Sequence, residues 1–201
     1  MARTMALNQK HLLGIGAALA ALMAATRFHH FGSAAYLPDA SLAVFFLAGF
    51  YVRGAWLLPL LLVEAAVIDY LAVSVGGVSD WCITPAYAFL LPTYATLWLG
   101  GRWNAQLYRP DWRTLVTLGG ILSLTTSAAF LISNGGFFFF SDRLGDMGWF
   151  EYSRQIAHYF PLYLGAAFMY VAFAAGVHAL FITLVATRLQ RPRAEPPKPA
   201  A

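Results

Sequence analysis

The sequence predicts an all-α integral membrane protein, a bundle of six transmembrane helices with both termini on the cytoplasmic side. Three observations carry this. First, 60% of the 201 residues are hydrophobic, 11% are charged, and the mean hydropathy is +0.62, whereas a soluble domain carries about a quarter charged residues. Second, the charges collect between long apolar runs instead of interleaving with them, as expected of spans of about 20 residues. Third, lysine and arginine are distributed unequally over alternate connecting segments. With a cytoplasmic N-terminus, ten lie inside (Arg3, Lys10, Arg53, Arg102, Arg109, Arg113, Arg188, Arg191, Arg193 and Lys198) and three lie outside (Arg27, Arg143 and Arg154). That positive-inside bias favours an even number of crossings. The net charge of +4 sits at helix ends and forms no single basic patch, so a bilayer explains it better than nucleic acid does.

The spans follow in order. The first runs from about Leu12 to Phe28. Its apolar core, Leu12 to Ala25 after Arg3 and Lys10, imitates a secretory signal with Ala18-Leu19-Ala20 as a cleavage pattern. The charge asymmetry holds only if this segment stays as a helix, and it is expected to do so. The second, about Leu37 to Val52, is short, and re-entrant or interfacial placement fits its length as well as crossing does. The third runs from about Trp56 to Val75 and ends at Gly76-Gly77. The fourth opens on Thr84-Pro85, an N-cap followed by proline at the first helical position, and ends near Gly100-Gly101. The fifth runs from about Leu115 to Ser133 and stops at Asn134-Gly135-Gly136. The sixth runs from about Pro161 to Leu189. Residues 1–189 therefore form one six-helix transmembrane domain, and residues 190–201, rich in proline and charge, a disordered cytoplasmic tail.

This topology gathers polar chemistry at the outer ends of the spans: Arg27, His29 and His30 after the first, Asp69 in the third, Cys82 and Tyr87 at the start of the fourth, Arg154 and His158 before the sixth. A carboxylate inside a span is costly and faces a cavity or a partner. Glu64 and Asp69 project about 140° apart around the third helix, so they do not share a site. Asp69, nearer the outer face, is the ligand-site candidate, and Glu64 is expected as a structural hydrogen-bond partner. His178, deep in the sixth span, is expected as a packed or hydrogen-bonded histidine. The segment Asn134 to Phe160, with Phe137 to Phe140 and Trp149-Phe150, is long enough to be functional, although an interfacial aromatic belt accounts for part of it.

Cys82 is the single cysteine, in Asp80-Trp81-Cys82-Ile83-Thr84-Pro85 between two apolar segments. Alone it forms no internal disulfide, which leaves a small inert residue or a soft metal donor. Histidines at zinc spacing, a nucleotide-binding glycine loop and a nucleophile elbow are all missing from the sequence. The first span carries a small-residue face, with Gly16, Ala20 and Ala24 beside Ala17, Ala21 and Ala25. Such a face suits either packing inside the bundle or docking of another membrane subunit.

With these features the chain resembles the S-components of energy-coupling-factor (ECF) transporters, and within them the BtuM family of cobalamin-binding S-components. The residues carrying the resemblance are His30, Asp69, the stretch from Asp80 to Pro85, and Tyr87. It covers nearly the whole chain except the tail and is most specific around Cys82. The resemblance implies a multi-pass protein of the bacterial inner membrane that binds cobalamin in an outward-facing cavity, with Cys82 ligating the cobalt. It further implies that His30 orients or ligates, that Asp69 and Arg154 bind the amide-bearing rim, and that Tyr87 offers a flat surface. A thiolate on one axial face would compete with cyanide, so cyanocobalamin could lose its cyanide on binding. The implied partner is an ECF module of one membrane-coupling subunit and two ATPases, docking near Ala20, Ala21 and Ala24 while the S-component topples in the membrane. Two other readings stand beside this one: a membrane thiol enzyme using Cys82 and His30 as nucleophile and base, and a ligand-free sensory or assembly subunit.

The charge asymmetry makes a direct prediction. A reporter fused after Leu189 reads as cytoplasmic and one inserted near Asp142 as external; a cytoplasmic reading at Asp142 would sink the six-span topology and put Cys82 on the wrong side.

Overall fold

In the computed structural model the described residues are 9–28, 37–52, 54–109 and 111–190, with the side chains of Cys82 and of residues 185–190 outside the description. Among these residues the chain is all helical and has no strands. The helices are α1 (Gln9–Arg27), α2 (Ser41–Tyr51), α3 (Leu57–Ser74), α4 (Leu90–Leu107), α5 (Arg113–Phe140), α6 (Trp149–Ala157) and α7 (Phe160–Gln190), with 3-10 turns at Asp80–Cys82 and Pro85–Phe89. Three of them, α3, α5 and the Phe160–Leu184 part of α7, are long and apolar enough to cross a membrane. Prolines in these helices sit in first turns (Pro59, Pro92, Pro161), where a missing N–H breaks no helical bond.

α2 is the centre. It has only 11 residues, but its whole surface is apolar, and Ala43, Val44, Phe45, Phe46 and Ala48 are fully buried. A helix apolar all round must be enclosed on every side. Here α1, α3, α4 and α7 enclose it, and α4 packs on it most closely. The sequence permits that approach. A Cβ on Gly49 would lie 2.0 Å from the Trp98 carbonyl oxygen, and one on Gly101 would lie 1.9 Å from that of Phe46. The two backbones therefore touch at two reciprocal points. Gly100 similarly admits Thr125 of α5, whose methyl lies 2.4 Å from where a Cβ would stand.

α1 presents Gly16, Leu19, Met23, Thr26 and Arg27 inward, at the i, i+3, i+4 spacing of one helical face. Ala21 and Ala24 face outward, and Ala20 is half-buried at the boundary. α3 buries Leu57, Leu61, Ala65, Asp69 and Ala72 on a single stripe. Side-chain contacts fix the directions of the helices. The end of α1, the start of α2, the second half of α3 and the start of α4 meet at Arg27, and the end of α5 joins them where Phe140 stacks on Phe89 at 5.0 Å. The opposite end holds Tyr51 of α2, Tyr108 beyond α4, and His178 of α7. The chain thus runs up and down, and α1 begins at the same end at which α7 finishes.

Two boundaries differ from the sequence expectation. α5 does not stop at Asn134-Gly135-Gly136 but continues to Phe140. Gly136 is a packing residue here, since a Cβ would lie 2.3 Å from the Phe89 ring. Asn134 donates to the Phe130 carbonyl one turn back and so stays within the helix. Thr84 does not cap the fourth helix: its side chain makes no capping bond, Pro85 opens a 3-10 turn, and the α-helix starts at Leu90. The segment after α5 also contains α6, which had no counterpart among the expected spans. The tail from residue 191 lies outside the described residues.

The α2–α4 contact can be tested by adding one carbon. Gly49→Ala and Gly101→Ala should each lower stability in detergent by about 1–3 kcal/mol or more through overpacking. Gly14→Ala and Gly120→Ala, where nothing lies within 4 Å of the new methyl, should be neutral or slightly stabilising. Thermal unfolding of the four proteins decides it, and equal effects would mean the backbones do not touch.

Candidate functional site

The polar centre of the fold is Arg27. Its side chain is 3% exposed, and all three of its nitrogens are engaged. Nε and Nη2 donate to the two carboxylate oxygens of Asp69 at 2.8 and 2.7 Å. Nη1 donates to Ser41 Oγ at 2.9 Å and to the Tyr94 hydroxyl at 2.6 Å. Asp39 Oδ2 stands 3.6 Å from Nη1. The planar guanidinium fork matches a carboxylate in this two-bond arrangement, which Lys could not reproduce.

Each partner is held in turn. Asp39 Oδ1 accepts from both the backbone N–H and the hydroxyl of Ser41, at 2.9 and 2.6 Å, fixing the first turn of α2. The Tyr94 ring stacks on Phe45 at 4.1 Å, nearly parallel. The Ala40 N–H donates to Thr26 Oγ1, and the Tyr170 hydroxyl of α7 donates to the Pro38 carbonyl at 2.7 Å. Asp69 Oδ2 also accepts from the Tyr87 hydroxyl at 2.8 Å. That bond reaches up into the 3-10 turn just beyond Cys82.

The Cys82 segment is thus anchored at two points. Below, Tyr87 ties it to Asp69. Beside it, Asp80 lies 3.9 Å from Arg143, whose guanidinium carbon stands 5.4 Å from the Trp81 ring. Within the turn, Ser79 Oγ accepts from the Trp81 N–H, and the Ile83 N–H donates to the Asp80 carbonyl. An aromatic group flanks this end: Phe138 meets Trp149 edge-on at 4.9 Å and Tyr152 at 5.3 Å, joining α6 to α5. Trp81, Ile83, Phe139 and Phe150 remain exposed.

Of the site residues expected from the sequence, the structure brings Asp69 and Tyr87 together. Asp69 is 5% exposed, with both oxygens bonded to protein groups. Arg154 stands exposed in the last turn of α6 and makes no ion pair among the described residues. His30 and the Cys82 side chain lie outside the described residues. α4 begins eight residues beyond Cys82, so the helix dipole, which fades within a turn, does not act on that thiol through α4. Glu64, expected as a hydrogen-bond partner, makes no hydrogen bond among the described residues; it sits half-buried on the flank of the α3 stripe. His178 Nε2 lies 3.3 Å from the Tyr108 hydroxyl.

Sequence reasoning named Arg27 but did not pair it with Asp69, and it missed Ser41 and Tyr94 entirely. The available signal was charge: an acid within a span calls for a basic partner at the same depth. No three His, Cys, Asp or Glu side chains converge as a metal site among the described residues. No protein-family profile matches the chain, and no curated protein matches it in sequence.

Breaking the ion pair is testable by unfolding. Asp69→Asn removes the two-oxygen counter-charge of a buried guanidinium and leaves only Asp39 at 3.6 Å, and it should destabilise by about 3 kcal/mol. Arg27→Met combined with Asp69→Leu should regain part of that loss, because the remaining carboxylate, Asp39, is partly exposed and stays hydrogen-bonded to Ser41. A double variant as unstable as the single one would remove the pair from its central place.

Proposed function

We propose that this chain is a cobalamin-binding membrane protein of the BtuM type that captures the corrinoid at the end of the bundle carrying Cys82 and serves its uptake. The observation that carries the reading is the Asp80 to Pro85 stretch, a short turn with a lone cysteine, fastened from below by the Tyr87–Asp69–Arg27 chain and from the side by Arg143. A cobalt in a corrin already has four ring nitrogens, so the protein need supply only one axial donor, and a thiolate is a strong one. A cluster of three protein ligands is not required for such a cargo.

In this reading Cys82 ligates the cobalt and His30 orients or assists. Tyr87 offers the flat face, and Arg154, exposed and without an ion pair among the described residues, a cation for the amide-bearing rim. Asp69 serves the site through Tyr87, whose hydroxyl it holds. The exposed aromatic residues of α5 and α6 supply apolar cover. The arginine and lysine asymmetry supports an even number of crossings with both termini cytoplasmic, and six is the number this reading takes from the apolar runs. In the BtuM-type reading the chain sits in a bacterial inner membrane, with Cys82 on the outer side. The outward Ala21 and Ala24 of α1 would receive an ECF module's membrane-coupling subunit, whose two ATPases would supply the energy.

Ligand exchange at cobalt needs no redox partner. The Cys82 sulfur forms the Co–S bond, the Co–C bond to cyanide breaks with its electron pair leaving on carbon, and the thiol proton departs with it as hydrogen cyanide. The test is to add cyanocobalamin to purified wild-type and Cys82→Ser protein, then to follow the visible spectrum and the released cyanide. Wild type should change colour and release cyanide, whereas Cys82→Ser, a small change that spares the fold, should do neither. Identical spectra for the two proteins would end the cobalt-ligand reading.

A further inference from the structure

The end of the bundle opposite Cys82 is hollow. A cavity of about 460 Å³ lies among α2, α4, α5 and α7, walled by Phe50, Tyr51, Tyr108 and Trp112. Asn104 also lines it. That side chain is 2% exposed, yet its carboxamide makes no hydrogen bond among the described residues. The carboxamide is not one of the sealed, unpartnered polar atoms of the described residues, which are Thr84 Oγ1, Trp98 Nε1 and Thr126 Oγ1; it opens onto the cavity, where an entering group can bond it. At the mouth stands Arg109, exposed and without an ion pair among the described residues, near Asp111, whose carboxylate already accepts from the Thr114 N–H. His178 and Tyr108, bonded to each other, complete the polar lining.

A second cavity, about 380 Å³ and almost wholly apolar, runs between α5 and α7 and shares Leu115, Leu118, Val171, Ala175 and Ala179 with the first. Small residues open it: Gly119 on α5, and Ala172, Gly176 and Ala179 on α7. Both helices are long and apolar enough to stand in a bilayer. An apolar groove adjoining a chamber that holds an amide in its wall and a cation at its mouth has the polarity of an amphiphile, tail along the groove and head at Asn104.

We propose that this end of the protein holds a single-chain amphiphile with an anionic oxygen head, a long-chain carboxylate being the simplest. Its chain lies between α5 and α7, and its head accepts from the Asn104 amide with Arg109 as counter-charge. The site is separate from the one at Cys82 and stands or falls without it.

The probe is palmitic acid carrying a diazirine in mid-chain, added to the full-length protein in phosphatidylcholine vesicles, photolysed, and mapped by mass spectrometry. Crosslinks should concentrate on residues 115–122 and 168–179, and excess unlabelled palmitate should remove about nine-tenths of them. Labelling of the exposed α3 residues Leu60, Val63 and Val67, which contact bulk lipid, should not respond to the competitor. Asn104→Leu and Arg109→Gln should each raise the palmitate concentration for half-labelling about tenfold, the effect of losing one buried or charged hydrogen bond. Ala175→Phe should fill the groove and abolish saturable labelling. A parallel arm with the same diazirine chain on phosphatidylcholine distinguishes a free carboxylate from a whole lipid: saturable labelling by the acid alone supports the proposal, and saturable labelling by the phospholipid alone overturns its single-chain form. Labelling of the groove that does not saturate, or that ignores both Asn104→Leu and Ala175→Phe, overturns it altogether. Arg109→Gln lies at the surface and keeps the test decisive if Asn104→Leu fails to fold.

Discussion

Burying one guanidinium dictates how this bundle is assembled. Desolvating a charge is affordable only where hydrogen bonds and an opposite charge replace the lost water. Arg27 sits at the end of α1, and the groups that satisfy it come from α2, α3 and α4. Each of these helices must end or begin at one depth for the contacts to form. The network therefore acts as a registration point for the helix ends, much as a polar residue fixes register in a coiled-coil seam. Through Tyr87 it also sets the height of the turn that carries Cys82, so stability and the candidate site share one set of bonds.

Much of the architecture was legible because bilayer constraints write themselves into composition. Apolar runs at α3, α5 and α7 identified helices able to cross a membrane, and the run at residues 37–52 gave the short α2. Helix termini were harder. Glycines after Ser133 and the Thr84-Pro85 pair look like stop and start signals, yet a glycine gives both backbone freedom and room, and the sequence does not say which is used. At Gly136 room was the use, for Phe89. α6 was missed because its apolar and polar residues fit an amphipathic surface helix too short to stand out beside the long spans.

At the site, the sequence marked Asp69 as an acid needing company but could not identify that company across 42 positions. Pairing across helices depends on depth and rotation, which the positions of Arg27 and Asp69 in the chain encode only jointly with the lengths of α1 and α3. Asn104 was invisible for a related reason. A single asparagine between Trp103 and Ala105 looks like a helix-end polar residue, and only the packing of α2 and α7 around it turns it into the wall of a chamber.

The paired contacts of Gly49 with Trp98 and of Gly101 with Phe46 have a mechanical consequence. On each of these two helices, which run in the same direction, the glycine follows by three residues the carbonyl offered to its neighbour, so the contacts interlock at one crossing. Sliding α2 along α4 by one residue would drive a side chain into a carbonyl, and axial displacement is thereby blocked while tilting is not. α4 carries Tyr94 near one end and Asn104 near the other, with the meshed region between them. Any tilt of α4 about that mesh would therefore carry its Tyr94 and Asn104 ends in opposite directions.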